Sequence, residues 1–204
     1  MEKGIKAFEH QEWVSQRKVP HTIDVVDPDP SWPSTFSSLS SSLRATLPPS
    51  SIIAIHHVGS TAVPGLAAKP VLDVDLILAR PADESTYVPF LEAAGWHFLF
   101  RQPPWYEHRL FAQYHPVFVN LHVYGPGELE LESRRHRALR DWLRKTPADR
   151  ELYARAKREA SARAKVNDEG VGEYTEYKGD AIREIMARAE ADAATQVQSC
   201  DGTS

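Results

Sequence analysis

Two aspartates, Asp73 and Asp75, alternate within the otherwise apolar stretch Val71–Leu78. The stretch is typical of a β-strand, in which alternate side chains share one face. The two carboxylates therefore project together, which is unfavourable in an apolar strand unless a positive group neutralises them. A divalent cation does so, and Mg²⁺ typically binds one or two carboxylates together with substrate phosphates. We predict a site for Mg²⁺, or Mn²⁺ in its place, at Asp73 and Asp75; a structural calcium site and an edge position are the alternatives.

A glycine–serine turn precedes the aspartate pair. Gly59 and Ser60 follow a predicted strand over 51–58, and twelve residues separate Ser60 from Asp73. Such a turn offers backbone N–H groups and a hydroxyl to phosphate oxygens with little steric bulk. Each feature is common alone, but their combination is selective. It predicts that Gly59 and Ser60 bind the terminal phosphates of a nucleotide, next to a metal held by Asp73 and Asp75.

The elements that position these groups follow from the hydrophobic periodicity. Strands are predicted over 51–58, 71–78, 96–101, 108–114 and 117–124, with a short β-rich run over 21–26. Helices are predicted over 33–47 and 83–94 and, after a Gly-Pro-Gly break, over 129–145, 148–166 and 173–194. The order predicts an α/β (α+β) fold, with a mixed sheet of about five strands, flanking helices and a C-terminal helical segment.

The length of 204 residues corresponds to one domain. We expect residues 1–20 to form a leader, either disordered or an accessory helix, because they show no clear period. The domain is predicted over 21–190, with an α/β part over 21–127 and a helical part over 128–190. Residues 191–204 are predicted to be a tail.

The composition excludes several classes of protein. No apolar run is long enough to cross a bilayer, and no secretory signal is visible. The single cysteine, Cys200, excludes disulfide scaffolds and cysteine-ligated metal sites. We therefore predict a cytoplasmic protein with neither a membrane nor a disulfide partner. The net charge is −4, yet residues 134–165 hold twelve basic against four acidic residues, which indicates either a phosphate-binding or a merely solvated helix face and leaves nucleic acid open as a partner.

The run HVGSTAVPGLAAKP, followed by LDVDL, closely resembles the GrpB family. Its core is similar to the signature of the polymerase-β-like nucleotidyltransferase superfamily. Weaker similarity lies at 29–32, 120–123, 139–143, 153–157 and 174–178, so the resemblance covers residues 21–189. It implies a nucleotidyltransferase-like fold and a transferase that moves a nucleoside monophosphate from a nucleoside triphosphate to an unknown acceptor. Asp73 and Asp75 would then be catalytic.

The superfamily has a third carboxylate on a neighbouring strand, and this chain departs from that pattern. The resemblance places Asn120 and His122 at the inward-facing positions of that strand. We therefore predict one firmly held metal, with His122 as catalytic base or ligand. Two alternatives remain. One is a catalytically reduced module that binds a nucleotide or another phosphorylated ligand, and the other is acid–base chemistry on a small metabolite in the same pocket.

Five basic residues are candidates for neutralising the triphosphate: Lys69, Arg109, Arg140, Lys157 and Lys178. Arginine binds phosphate in a planar bidentate manner, whereas lysine offers a point charge. The last three lie on predicted helices at positions that resemble the family's. Arg140 could equally form a helix salt bridge with Asp141. Trp105 and Tyr106 either stack on a base or anchor a turn.

Overall fold

Residues 10–20 and 22–201, described here by a computed structural model, form a six-stranded mixed β-sheet with helices on both faces. The strands are β1 (Glu12–Trp13), β2 (Ile52–Val58), β3 (Val71–Leu78), β4 (His97–Gln102), β5 (His108–Gln113) and β6 (Phe118–Tyr124). Their order in the sheet is β1-β4-β5-β6-β3-β2. The neighbours β3 and β6 are parallel, and all other pairs are antiparallel.

One face of the sheet is apolar because β3 alternates as its sequence predicts. Leu72, Val74, Leu76 and Leu78 are buried in the main core, and burying each such side chain stabilises the fold by roughly 1.5–3 kcal/mol. Helices α1 (Trp32–Thr46) and α2 (Val88–Ala93) contribute Trp32, Leu43 and Leu91 to the same core. The opposite face of β3 is thereby left for Asp73 and Asp75.

Helix α1 forms despite its many serines. Its apolar stripe faces the core, and Pro33 lies in the first turn, where a missing N–H costs no hydrogen bond. The hydroxyls of Ser37 and Ser41 donate to the carbonyls of Pro33 and Ser37, one turn earlier. The hydroxyls of these two serines are therefore hydrogen-bonded within the helix. The helix predicted over 33–47 is confirmed.

Four helices follow the last strand: α3 (Leu131–Lys145), α4 (Pro147–Val166), α5 (Val171–Tyr177) and α6 (Gly179–Asp201). The single helix predicted over 173–194 is wrong, because the chain breaks at Lys178 between α5 and α6. Gly179 follows this break, and glycine is a poor residue for continuing a helix. The predicted tail begins inside α6, whose backbone continues to Asp201, and residues 202–204 lie outside the described range.

The segment over 21–26 also differs from its prediction. In the run predicted as β-rich over 21–26, His21 lies outside the described residues, and only Val26 forms an isolated bridge, with Ala68. Ile23 and Val25 instead pack against the helical layer beside Tyr174, so their side chains are partly buried without strand pairing.

The predicted leader contains β1, which was not expected from its sequence. Glu12 pairs with Arg101 and Trp13 with Phe100, and the Trp13 ring lies edge-on to Phe100 at 5.1 Å. Residues 1–9 of the leader lie outside the described range. Within the part of the chain that the structure describes, no helix is both long and apolar enough to span a bilayer.

Candidate functional site

A cleft of about 710 Å³ opens over the polar face of the sheet, and helices α4 and α5 contribute to its walls. Seven of the ten residues predicted for the site line it: Gly59, Ser60, Lys69, Asp73, His122, Lys157 and Lys178. Trp105 also lines it, on the wall formed by the β4–β5 connection. The structure therefore brings most of the predicted residues together around one cavity.

Asp73 lies at the centre of this cleft. The parallel register of β3 and β6 places Asp73 opposite Asn120 and Asp75 opposite His122, as the alternation of both strands predicts. Asn120 Nδ2 donates a hydrogen bond of 2.8 Å to Asp73 Oδ1. The Asp73 carboxylate is oriented by this amide and remains accessible from the cleft.

The glycine–serine corner lies directly against Asp73. Gly59 has a φ of +69°, in the left-handed region, and a 3₁₀ turn over Ser60–Ala62 follows it. A Cβ at position 59 would lie 2.5 Å from Asp73 Oδ2, which is far inside van der Waals contact. Only glycine therefore allows the backbone both to turn here and to approach the carboxylate.

We expect Gly59→Ala to destabilise the protein clearly more than Gly65→Ala. Both positions have positive φ, so both substitutions carry a backbone cost of roughly 1–3 kcal/mol. Gly65 has no atom within 4 Å of its would-be Cβ, whereas the Cβ at position 59 overlaps Asp73. Urea unfolding of the two variants measures the difference, and equal losses would show that the close approach to Asp73 costs nothing.

Asp75 lies in a different environment from Asp73. It is fully buried, and His136 Nδ1 on α3 lies 3.1 Å from Asp75 Oδ2 and 3.2 Å from Oδ1. Burial by itself would raise the pKa of Asp75, but the charge and hydrogen bond of His136 hold it below its usual value. Burial would likewise lower the pKa of His136, yet Asp75 raises it to about 9. The two residues thus form an ion pair at neutral pH, and Asp75 does not line the cleft.

His122 is the end of a hydrogen-bonded chain of side chains. His122 Nδ1 lies 3.0 Å from His108 Nε2, and His108 Nδ1 lies 2.9 Å from Gln102 Oε1. Burial lowers the pKa of both histidines, so both rings are neutral near pH 7. The network assigns a proton to Nδ1 of each ring, because Gln102 Oε1 can only accept. His122 Nε2 consequently keeps a lone pair.

Three lysines converge on the helical side of the cleft. Lys157 is 1% exposed and donates to the carbonyl of Ala67, and burial together with the charge of Lys178 lowers its pKa to about 6. Lys69 and Lys178 each lie 5.0 Å from the Tyr174 ring centroid. Burial, and then the charge of Lys178, lowers the pKa of Lys69 to about 8.

These three amines are not neutralised by the protein. Among the described residues, the lysines that form ion pairs are Lys145 and Lys165, and neither lines the cleft. Lysine side chains without carboxylate partners attract an anion, and an anion next to Lys157 in turn favours the protonated form of this amine, whose pKa is lowered to about 6. This side of the cleft is therefore suited to bind phosphate or another oxyanion.

Two predicted phosphate ligands lie elsewhere, and the structure corrects their placement. Arg109 on β5 faces away from the cleft, because its neighbours His108 and Leu110 occupy the inward side, and it pairs with Glu84 at 3.0 Å and Glu107 at 2.6 Å.

Arg140 lines a separate cavity of about 60 Å³ behind the glycine–serine corner. It donates to the His57 carbonyl at 2.9 Å and pairs with Asp141 at 2.7 Å, which is the helix salt bridge that the sequence left open. Of the basic block over 134–165, Lys157 is the one lysine or arginine that lines the main cleft.

Sequence reasoning missed several residues of the site, among them His136 and Arg17. His136 gave no signal, because the i,i+4 spacing of Glu132 and His136 resembles an ordinary solvated helix face. Arg17 lies in the leader, where no periodicity was found. Its Nη2 donates to Asn120 Oδ1 at 3.1 Å, and the residue lines the cleft.

The side chains that could ligate a metal ion decide which kind of cation site is possible here. No group of three or more histidine, cysteine, aspartate or glutamate side chains in the described part of the chain is arranged to hold a metal ion. Asp73 is the carboxylate of the predicted pair that lines the cleft, since His136 engages Asp75. Glu132, the other carboxylate of the cleft lining, is paired with Arg135 and His136. The single carboxylate that is left, Asp73, suits Mg²⁺ only where substrate phosphates complete the shell of the cation. The residues therefore fit a cation that is bound together with a polyphosphate.

The chain is similar to several known proteins over most of its length. A family model described as "GrpB protein" matches residues 22–188. A UPF0157 protein of Halalkalibacterium halodurans is 40% identical over 174 residues, covering 84% of this chain and 86% of the relative. A UPF0157 protein of Pseudomonas aeruginosa is 33% identical over 183 residues, covering 89% and 73%.

Among solved structures, a crystal structure of the conserved protein GrpB from Enterococcus faecalis superposes with a TM-score of 0.69. It is 23% identical, and the match covers 83% of this chain and 99% of that one. The likeness extends over nearly the whole of that structure, and at this level of identity it concerns the fold.

Proposed function

Because this chain belongs to the GrpB family, we propose that its cleft binds a nucleoside triphosphate with Mg²⁺ and transfers the nucleoside monophosphate to an acceptor hydroxyl. One observation carries the proposal. The Asp73 carboxylate and the Gly59 corner lie in the same cleft as three lysines that have no carboxylate partner among the described residues. A carboxylate beside a set of cations is the arrangement that a metal-bound polyphosphate requires, since the ligand carries both charges.

Each wall of the cleft has a part in binding. Asp73 would hold the cation together with phosphate oxygens, and the bound cation would neutralise charge on the phosphates. Ser60 follows Gly59 at the corner that abuts Asp73, and its backbone and hydroxyl line the cleft and are suited to the terminal phosphates. Lys69 and Lys178 supply charge on the opposite side, and an anion next to Lys157 favours its protonated form. Trp105 offers an aromatic face to the base.

The proposed transfer uses His122 as general base. His122 Nε2 takes the proton of the acceptor hydroxyl, and the acceptor oxygen forms a bond to the α-phosphorus. The bond between the α-phosphorus and the oxygen bridging to the β-phosphate breaks, and pyrophosphate leaves with that oxygen. The hydrogen bond from His122 Nδ1 to His108 fixes the tautomer that this role needs.

The Asp75–His136 pair favours a second function, in which the cleft binds the nucleotide without transferring it. Asp75 is neutralised by a histidine, and Asn120 stands opposite Asp73 where the superfamily resemblance would place an acid. A clamp of two metals on the reacting phosphate needs more free carboxylate than Asp73 supplies. This module would hold a nucleotide or another phosphorylated ligand and act through that binding.

A nucleotide screen tests the proposal and separates the two functions. We expect the thermal midpoint to rise with a nucleoside triphosphate plus Mg²⁺, and less in EDTA, because ligand binding stabilises the native state. Release of pyrophosphate with an acceptor extract supports transfer, whereas binding without release supports the second function. A screen in which no nucleotide binds, with or without metal, overturns both nucleotide transfer and nucleotide binding.

If the cleft catalyses transfer, we expect His122→Gln to reduce the rate of nucleotidyl transfer by about 100-fold or more, because a general base contributes that much. Nucleotide affinity should stay within about twofold of wild type, because His122 acts on the acceptor. The matched control is His115→Gln, since His115 is exposed and does not line the cleft. Pyrophosphate release at saturating nucleotide measures the rate. Equal rates for wild type and His122→Gln would remove His122 from the reaction.

A further inference from the structure

The segment over 10–20 lies outside the residues that match the family, yet it contributes to the wall of the cleft. Gln11 and Arg17 line the cavity, although the family match begins at residue 22. This segment therefore adds side chains to the site that belong to this chain's own leader.

The segment is fixed on both sides of Arg17. Before it, the backbone N–H groups of Val14 and Ser15 donate to the Leu99 carbonyl at 2.8 and 3.1 Å, next to the paired β1. After it, the Lys18 N–H donates to Tyr114 Oη at 3.0 Å. Arg17 is thus presented to the cleft by an anchored backbone.

One end of the Arg17 guanidinium is tied to the proposed metal ligand through an amide. Nη2 donates to Asn120 Oδ1, and Asn120 Nδ2 donates in turn to Asp73 Oδ1 at 2.8 Å. Asn120 separates the positive group from the carboxylate. The guanidinium is therefore placed beside Asp73 without pairing directly with it.

The Tyr114 hydroxyl also interacts with the guanidinium, but the other terminal nitrogen, Nη1, has no hydrogen-bond partner among the described residues. Arg17 Nη1 is buried, and the described residues provide no acceptor for it. An arginine stays protonated in proteins, and leaving a buried charged donor unpaired costs more than the roughly 1–3 kcal/mol of a neutral one. Buried donors are almost always paired in native proteins, so an unpaired one in a cleft wall indicates a missing acceptor.

We propose that Arg17 Nη1 binds an oxyanion, a phosphate or carboxylate group of the ligand held in the cleft, so that the leader completes the binding site. The proposal rests on the proposed function for the identity of that ligand. The oxyanion has two sources: a phosphate of the nucleotide, or an anionic group on the acceptor. Both offer the acceptor oxygen and the negative charge that a buried guanidinium requires.

Isothermal titration with inorganic phosphate in EDTA tests the proposal. We expect Arg17→Gln to weaken phosphate binding at least tenfold, and Arg17→Lys to weaken it less because the charge is kept. The control Arg80→Gln should bind as wild type does, since the Arg80 side chain is 78% exposed and its one ion pair among the described residues is with Asp83 at 3.7 Å. Circular dichroism confirms that each variant is folded.

Repeating the titration with a non-hydrolysable nucleoside triphosphate and Mg²⁺ already bound distinguishes the two sources. Competition between phosphate and nucleotide assigns Arg17 to the nucleotide, and simultaneous binding assigns it to the acceptor. Equal phosphate affinity of Arg17→Gln and wild type overturns the proposal, as does the absence of phosphate binding to wild type.

The experiments distinguish a failure of the inference on Arg17 from a failure of the proposed function. If Mg²⁺-dependent nucleotide binding is retained but Arg17→Gln has no effect, the inference on Arg17 alone is overturned. If phosphate binding depends on Arg17 but no nucleotide binds, the inference stands and the proposed function is overturned.

Discussion

The substitution Asp73→Asn is expected to remove Mg²⁺-dependent nucleotide binding while the fold remains intact. The amide keeps an oxygen that can accept from Asn120 Nδ2, so unfolding free energy should change by less than about 1 kcal/mol. It loses the negative charge that a cation needs, and no second carboxylate of the predicted pair lines the cleft. We therefore expect affinity for nucleotide with Mg²⁺ to fall by at least about 100-fold, or roughly 2.7 kcal/mol.

Isothermal titration with and without Mg²⁺ measures this loss. Asp27→Asn is the matched control, because the Asp27 side chain is 91% exposed and forms a surface ion pair with Arg158. In EDTA, wild type and Asp73→Asn should bind nucleotide about equally weakly. If Asp73→Asn retained the Mg²⁺ dependence of wild type, the cation would have to lie elsewhere.

The substitution His136→Ala is expected to cause a large loss of stability near pH 6. It leaves the fully buried Asp75 carboxylate without its main positive partner, and breaking a buried ion pair costs on the order of 3 kcal/mol. The double variant Asp75→Asn/His136→Ala should recover part of that loss, because no charge is then left buried. Urea unfolding measures all three proteins.

The pH dependence of this loss has a definite sign. The pKa of His136 is about 9 in the folded protein and lies near 6.5 when unfolded. Its contribution to stability is therefore complete below pH 6.5 and is lost as the pH rises through 9. The pKa of Asp75 is lowered, so its contribution is present above about pH 4 and lost in acid. The difference between wild type and His136→Ala should shrink from pH 6 to pH 9.5, and a constant difference would contradict the ion pair.

Local periodicity predicted the elements that hold the site. The alternation in β3 depends on residues two apart, so the sequence predicts that Asp73 and Asp75 share a face. The same reasoning in β6 predicts that Asn120 and His122 face inward, and the parallel register confirms their place opposite the two aspartates. The positions of β2 to β6 and of α1, α3 and α4 followed in the same way.

The remaining features depend on contacts between residues far apart in sequence. His136 meets Asp75 across 61 residues, and Arg17 meets Asn120 across 103. No local pattern records such contacts, so the sequence could not show that the two aspartates have different environments. Arg109 was predicted from its charge, although its position between two inward-facing residues of β5 already indicates the opposite face.

The pairing of β1 with β4 has a consequence for the protein at high concentration. A sheet edge with unpaired N–H and C=O groups promotes intermolecular strand addition and aggregation, and a very short outer strand reduces that risk. Here two residues of the leader cover part of the β4 edge, and Trp13 shields Phe100. The segment that presents Arg17 to the cleft thus also covers part of a sheet edge. We expect that shortening it would lower the solubility of the protein and, on the role proposed for Arg17, also weaken phosphate binding.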